Sequence, residues 1–325
     1  MKKFIAFIIL SVAAVSCYED YILDYVYTGI YFPYQIDVRT FVVGEGMQIK
    51  VGAALGGVRK NTIDREVTFT LDPALVTPAI LAQMKGSSYA HIKDPATPVA
   101  TLQVMPSNYY TLSNNSKMII KAGQHMGDVV VKPDSANFLN DSVNTIYATY
   151  ALPFYIQNAD ADTILENKRY NIVGLKFENM LYGYYWHGGE ARIERPGLPD
   201  SIFTYKTEIP TAEAKIWILK TVGPSTLYAN GYLNQVTSKN EMKLVLKGNT
   251  VFVSAGAGAT YTIEPDGEST FNRSKLLQDR RIYLKYKYLN PGNGWTYHCT
   301  DTLRFRNRFR DGINEWQDEN PDHYN

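Results

Sequence analysis

Residue types able to do chemistry are few in this chain and widely spaced. Asn158-Ala159-Asp160-Ala161-Asp162 has the look of a cation loop, but an EF-type calcium loop needs glycine at its sixth position and a bidentate glutamate at its twelfth, where Thr163 and Arg169 stand. A chitinase-type Asp-x-x-Asp-x-Asp-x-Glu run needs acids where the chain has Gln157 and Ile164. The stretch reads as a solvated loop. His187-Gly188-Gly189-Glu190 lacks the His-Glu-x-x-His spacing that sets two imidazoles on one helix face, and the five histidines (91, 125, 187, 298, 323) are scattered, so no metal site is expected. Gly256-Ala257-Gly258-Ala259-Thr260 has neither the lysine nor the following helix of a phosphate loop and reads as a tight turn or bulge. There is no Gly-x-Ser-x-Gly elbow, and Cys299 lies in a strand-like run without an evident base. The expectation is no catalytic residue, no metal and no cofactor. Carboxylates distant in sequence still leave a glycosidase arrangement open.

Aromatic residues in turns carry more. Trp295 abuts Asn290-Pro291-Gly292-Asn293-Gly294, where an indole face beside two amides suits a sugar ring: the ring stacks on C–H groups while Asn290 and Asn293 bond hydroxyls. A Trp plugging a barrel end fits the same residues. Tyr184 and Trp186, in Tyr182-Gly183-Tyr184-Tyr185-Trp186-His187, serve either core packing or a ligand, since glycine among aromatics permits close approach of both. Trp217 reads as core. Trp316, in the polar Asn314-Glu315-Trp316-Gln317-Asp318, is either exposed or docked as a clasp.

The elements that must position these residues are strands. Met47, Ile49 and Val51 alternate with polar residues, as do Val67, Phe69 and Leu71, and further strands are expected at 26 to 32, 101 to 105, 117 to 121, 127 to 131, 146 to 156 and 169 to 177. Pro78 to Met84 is the one convincing helix, with proline suited to the first turn. Spacing near ten residues, with connections such as Val43-Gly44-Glu45-Gly46, predicts an immunoglobulin-like β-sandwich over 18–176. Over 177–325, Ile282, Leu284, Tyr286 and Tyr288 alternate with polar neighbours. Leu303, Phe305 and Phe309 oppose Arg304, Arg306, Arg308 and Arg310 as a strand with a cationic face, and Glu264-Pro265-Asp266-Gly267-Glu268 reads as a hairpin turn. The expectation is all-β, with an antiparallel barrel or second sandwich, lipocalin-like by preference, in the C-terminal half.

Composition bounds the function. The 325 residues are about twice the ~150 typical of one domain. Lys+Arg 33 against Asp+Glu 32 gives +1, and loss of Lys2 and Lys3 would bring it to −1, which argues against non-sequence-specific nucleic-acid binding. Tyr 25 within 13% aromatic residues suits half-buried strands and wet binding surfaces alike. Met1 to Cys17 reads as a signal peptide: Lys2 and Lys3, an apolar run from Phe4 to Val15 too short to span a bilayer, then Ala14-Val15-Ser16-Cys17. That end resembles a bacterial lipobox, which implies lipidation of Cys17 and an outer-membrane anchor. Glu19 and Asp20 resemble a surface-export signal. With Cys299 the only other cysteine, no intramolecular disulfide is expected beside a lipidated Cys17.

Gly29-Ile30-Tyr31-Phe32, Met105 to Tyr110, Met118 to Gly123, Gly127 to Val131, Tyr150 to Phe154 and Asp301 to Phe305 together resemble the SusE-like lipoproteins encoded beside SusC/SusD-type glycan importers, within them those having an N-terminal immunoglobulin-like domain. The resemblance implies a cell-surface protein that binds oligosaccharide for the importer. It supplies no binding motif. Asp134-Ser135-Ala136, Asp162-Thr163-Ile164 and Asp200-Ser201-Ile202 are similar to the O-glycosylation pattern of that bacterial group. The leading expectation is non-catalytic glycan binding. A glycoside hydrolase and a structural or adhesive subunit stay open, separated respectively by facing carboxylates in a cleft and by strand exchange at a sheet edge.

Overall fold

The structure is a computed structural model that describes residues 27–205, 215–236, 242–259 and 261–317; Cys17 and the expected signal peptide, residues 1–17, lie outside the described residues. The N-terminal half lays down β1 (Gly29–Tyr31), β2 (Ile36–Val43), β3 (Ile49–Gly56), β4 (Arg65–Leu71), β5 (Gln103–Val104), β6 (Tyr110–Leu112), β7 (Lys117–Ile120), β8 (Met126–Pro133), β9 (Tyr150–Ala159), β10 (Thr163–Ile164) and β11 (Tyr170–Asn179). One sheet runs β10-β1-β3-β8-β6 and the other β2-β11-β9-β4-β7, with β5 on β9. Their inner faces share one core, in which Phe32, Phe69 and Phe154 and, further along, Phe41, Phe138 and Phe177 meet edge to face or tilted.

The second sheet is covered on its outer face too. Helices α1 (Pro78–Gly86) and α2 (Ala90–Ala96) set Leu81, Met84, Ile92 and Ala96 against Val38, Ala151 and Ile172. Burial on both faces explains why β11 reads as a nearly continuous apolar run rather than an alternating one. Thr77 caps α1 by accepting from Ile80 N at 3.3 Å, with Pro78 at the first turn as expected. Sequence periodicity misses α2, which lacks a side-chain cap and carries Pro95 inside seven residues. Two more short helices, Ser135–Asn140 and Ser142–Thr145, precede β9, so the strand expected from 146 starts at Tyr150.

The C-terminal half holds β12 (Gly183–Arg195), β13 (Leu198–Tyr205), β14 (Lys215–Gly223), β15 (Thr226–Ala229), β16 (Gly231–Tyr232), β17 (Gln235–Val236), β18 (Met242–Lys247), β19 (Thr250–Ala255), β20 (Thr262–Pro265), β21 (Thr270–Phe271), β22 (Arg281–Leu289), β23 (Thr296–Arg310) and β24 (Ile313–Glu315). Neighbours run β12-β14-β15-β18-β19-β21-β22-β23 and return to β12, closing an antiparallel meander into a barrel. The β19–β21 seam is a single rung, Thr250 to Thr270. Tyr185, Trp217, Leu219, Leu227, Leu244, Ile282, Leu284 and Leu303 fill the interior.

Glu264 to Glu268 is not a hairpin turn. Both β20 and β21 pair antiparallel with β22 (Pro265 opposite Tyr286, Thr270 opposite Tyr283), so the chain keeps its direction and the segment is a bulge along one edge. Gly267, at φ +132°, absorbs the irregularity.

The expected cationic face of β23 is also corrected. Arg304 and Arg306 are exposed, whereas Arg308 is buried where barrel meets sandwich. There Glu45, on the β2–β3 turn, takes Arg280 Nη2 at 2.6 Å, Arg308 Nη1 at 3.1 Å and Arg310 Nη1 at 3.4 Å. Burial would push the Glu45 carboxyl up, but Arg308, Arg280 and Arg310 together hold it down at about 2. Gly44 (φ +97°) and Gly46 (φ +87°) let the turn present this side chain. A Cβ on Gly44 would come within 2.7 Å of Met180 Sδ.

Candidate functional site

A cleft of about 760 Å³ opens beside this junction. Elements of both halves line it: Tyr89 leads into α2, which adds His91 and Asp94; β11 gives Lys176 and Glu178; β12 gives Tyr184; β14 gives Lys220; β23 ends in Phe309 and Arg310. Strand alternation aims them. Tyr185 and Leu219 point into the barrel, so Tyr184 and Lys220 face out. Phe309 faces out for another reason. The register slips between Tyr184–Asn307 and Tyr185–Phe305, a bulge at Arg306 that inverts the parity of β23, so Phe309 is 55% exposed although it shares odd numbering with buried Leu303 and Phe305.

Aromatic faces dominate the rim. Tyr89 is 65% and Tyr147 43% exposed, and burial pushes the hydroxyl of lining Tyr182 up to about 12. The floor is ionic and largely self-satisfied. Lys176 and Arg310 both pair with Glu178, the latter at 3.2 Å. Asp311, on the β23–β24 turn, accepts from Thr40 N at 3.1 Å and Thr40 Oγ1 at 2.7 Å, with Arg39 Nε at 3.4 Å, so the turn covers the free edge of β2. Below it, His91 Nε2 lies 3.8 Å from Asp37, whose carboxyl burial pushes up despite Arg39. The side chains of Asp94 and Lys220 have no hydrogen-bond or ion-pair partner among the described residues.

The sequence-derived candidates do not form one site. Tyr184 lies in the cleft. Trp186, one outward position further on, lies beneath Arg306 at 5.0 Å, and Trp316, just past β24, is 60% exposed. Asn290, Asn293 and Trp295 do come together, in the β22–β23 hairpin, but at the far end of β23. Twelve residues separate Trp295 from Asn307, the partner of Tyr184, which at strand rise is roughly 40 Å. In that hairpin the amide oxygens already accept from the backbone, Asn290 from Gly292 N and Asn293 from Trp295 N, both at 2.9 Å, leaving the NH₂ groups for a ligand. Trp295 is half-buried with Arg195 over its ring at 5.7 Å. Sequence reading missed Tyr89, Asp94, Tyr147, Lys220 and Phe309; none belongs to a motif, and only the packing of the halves makes them neighbours.

A second polar cluster sits inside the barrel. Asp301 accepts hydrogen bonds from Tyr205, from Tyr286 at 2.7 Å and from His187 Nε2 at 2.9 Å, and His187 stacks on Trp217 with centroids 3.9 Å apart. Burial, then the Asp301 charge, drives the Tyr205 and Tyr286 hydroxyls and the neighbouring Cys299 thiol well above their ordinary ranges, leaving all three protonated. With His187 and Asp301 each 1% exposed, the network is closed to solvent and works as a buried polar core centred on Asp301, in which His187 Nδ1 and Trp217 Nε1 have no hydrogen-bond partner among the described residues.

A family model described as "-like, N-terminal domain" matches residues 24–163, that is, the sandwich up to β10. No curated protein matches the chain. A solved structure from Bacteroides ovatus, of unknown function, is 19% identical and covers 90% of this chain and 98% of its own, with a TM-score of 0.63. A second B. ovatus structure of unknown function is 12% identical over 90% of this chain and 99% of its own, at a TM-score of 0.41, too loose an overlay to carry an argument. The likeness to the first B. ovatus protein is one of fold: the two share their architecture over nearly their whole lengths.

Proposed function

We propose that the protein is a non-catalytic, lipid-anchored surface protein that binds oligosaccharide in the cleft between sandwich and barrel. The observation that carries the reading is the convergence of the exposed aromatic faces of Tyr89, Tyr147 and Phe309 and the half-buried Tyr184 with the side chains of Asp94 and Lys220, unpaired among the described residues, in one open cleft. Sugar rings present apolar C–H faces and hydroxyl edges. Flat rings cover the first at little entropic cost, and a free carboxylate and ammonium bond the second. A hydrolase needs two carboxylates at work, roughly 5 to 9.5 Å apart across the bond. Here Glu178 and Asp311 are bound into ion pairs and hydrogen bonds, which leaves Asp94 alone. This favours binding without turnover. The Cys17 lipobox supports the anchor, and a SusC/SusD-type importer is the partner the sequence resemblance suggests.

Titration calorimetry on oligosaccharides selected by a glycan array tests the site. Tyr184→Ala is expected to weaken binding roughly tenfold, the loss of one anchor of about 1.4 kcal/mol, with little change in the unfolding midpoint. If Trp295→Ala has that effect and Tyr184→Ala has none, the ligand sits on the distal hairpin instead.

A further inference from the structure

We infer that the cleft selects an uncharged oligosaccharide over an acidic one, an inference that rests on the glycan-binding reading above. Six formally charged side chains line the cleft, Lys176, Lys220 and Arg310 against Asp94, Glu178 and Asp311, and they cancel. Cancellation alone would leave local cations for a uronate or sulfate to find, but two of the three are held in ion pairs, and the one nitrogen of Arg310 without a hydrogen-bond partner among the described residues, Nη2, is closed to solvent. Arg310 is 8% exposed and shared among Glu45, Glu178 and Glu315. Lys176 is 13% exposed and bound to Glu178. Drawing either toward a ligand anion would strip a buried carboxylate of its partner, a cost that a pair made at a wet rim does not repay. Of the cations lining the cleft, Lys220 alone is unengaged among the described residues, and the one unengaged anion, Asp94, repels a polyanion. For hydroxyls the same pair is well suited: Asp94 accepts, Lys220 donates, and neither needs a counter-charge. The aromatic faces supply affinity that salt does not screen.

Calorimetry of the intact protein would compare hexaoses of glucose, mannose and galactose with the matching oligouronates of glucuronic, mannuronic and galacturonic acid, each at about 20 mM and about 300 mM salt, where the screening length changes several-fold. The expected result is a neutral hexaose whose Kd changes less than about twofold with salt, lost on Tyr184→Ala, with every oligouronate roughly tenfold weaker or worse. An oligouronate that binds more tightly than its neutral counterpart, weakens with salt and is lost in Lys220→Gln overturns the charge inference while leaving the glycan reading intact. Failure of every sugar to bind, or binding indifferent to Tyr184→Ala, overturns the reading of the cleft itself.

Discussion

Glu45→Gln keeps the shape of the junction side chain and removes its charge, leaving Arg280, Arg308 and Arg310 facing one another. The magnitude follows from the carboxyl itself. Its acidity moves from an ordinary 4.5 to about 2 on folding, and at about 1.4 kcal/mol per unit this is roughly 3 kcal/mol of stability carried by the ionised form. Breaking a buried pair from one side costs about 3 to 5 kcal/mol, which agrees. Because Glu45 belongs to the sandwich and the three arginines to the barrel, the loss falls on the coupling between the halves. All four tryptophans lie beyond residue 180, so fluorescence follows the barrel while far-ultraviolet circular dichroism follows both halves. In urea the two probes are expected to coincide for the unaltered protein and to separate in Glu45→Gln, with the barrel transition losing about 3 kcal/mol. A carboxyl whose pKa is depressed on folding stabilises the fold above its unfolded pKa, and that contribution is lost as pH falls through the folded one. The unaltered protein should therefore lose this coupling between pH 4.5 and about 2, and Glu45→Gln should show no such dependence in that window. Coincident transitions within about 0.5 kcal/mol of the unaltered protein, or an unchanged acid profile, would refute the assignment of Glu45 as the ionic centre of the junction.

Cys299 is 1% exposed with its thiol driven up by burial, so a thiol reagent should leave it unlabelled in the native barrel and react once urea unfolds it; rapid native labelling contradicts the burial. Gly189 has φ +148° and a Cβ there would lie 2.1 Å from Thr300 O, so Gly189→Ala should destabilise the β12–β23 pairing by more than about 1 kcal/mol, read as a lower urea midpoint, while Gly197→Ala, in open space at a turn, should cost less. Cys17→Ser should shift the protein from membranes to the soluble fraction, and failure of the native chain to incorporate labelled palmitate would remove the anchor from the proposal.

Local period carries much of this fold. Residues 47–51, 67–71, 127–131 and 282–288 alternate because one face of each strand meets a core and the other meets water or a wetter layer, so strand class was legible from composition at adjacent positions. The Val43-Gly44-Glu45-Gly46 turn was equally legible, since positive φ calls for glycine. That its glutamate would meet arginines more than 230 positions away was not, because an ion pair leaves no trace in either neighbourhood. The same gap separates the aromatic motifs from the cleft. Trp295 with Asn290 and Asn293 stood out because they adjoin in sequence, whereas the cleft draws Tyr89 and Asp94 from α2 and its cap, Lys220 from β14 and Phe309 from β23, three elements far apart in the chain. Local pattern misled twice: parity at the bulge that turns Phe309 outward, and turn chemistry at the edge where Pro265 to Gly267 continues a strand instead of reversing it. The sequence by itself determined the alternating strands and the turns that glycine permits, properties of residues next to one another. Closure of the barrel, the ionic junction and the aromatic cleft were decided by tertiary structure alone, because contacts between distant segments depend on register and docking, which short-range pattern does not encode.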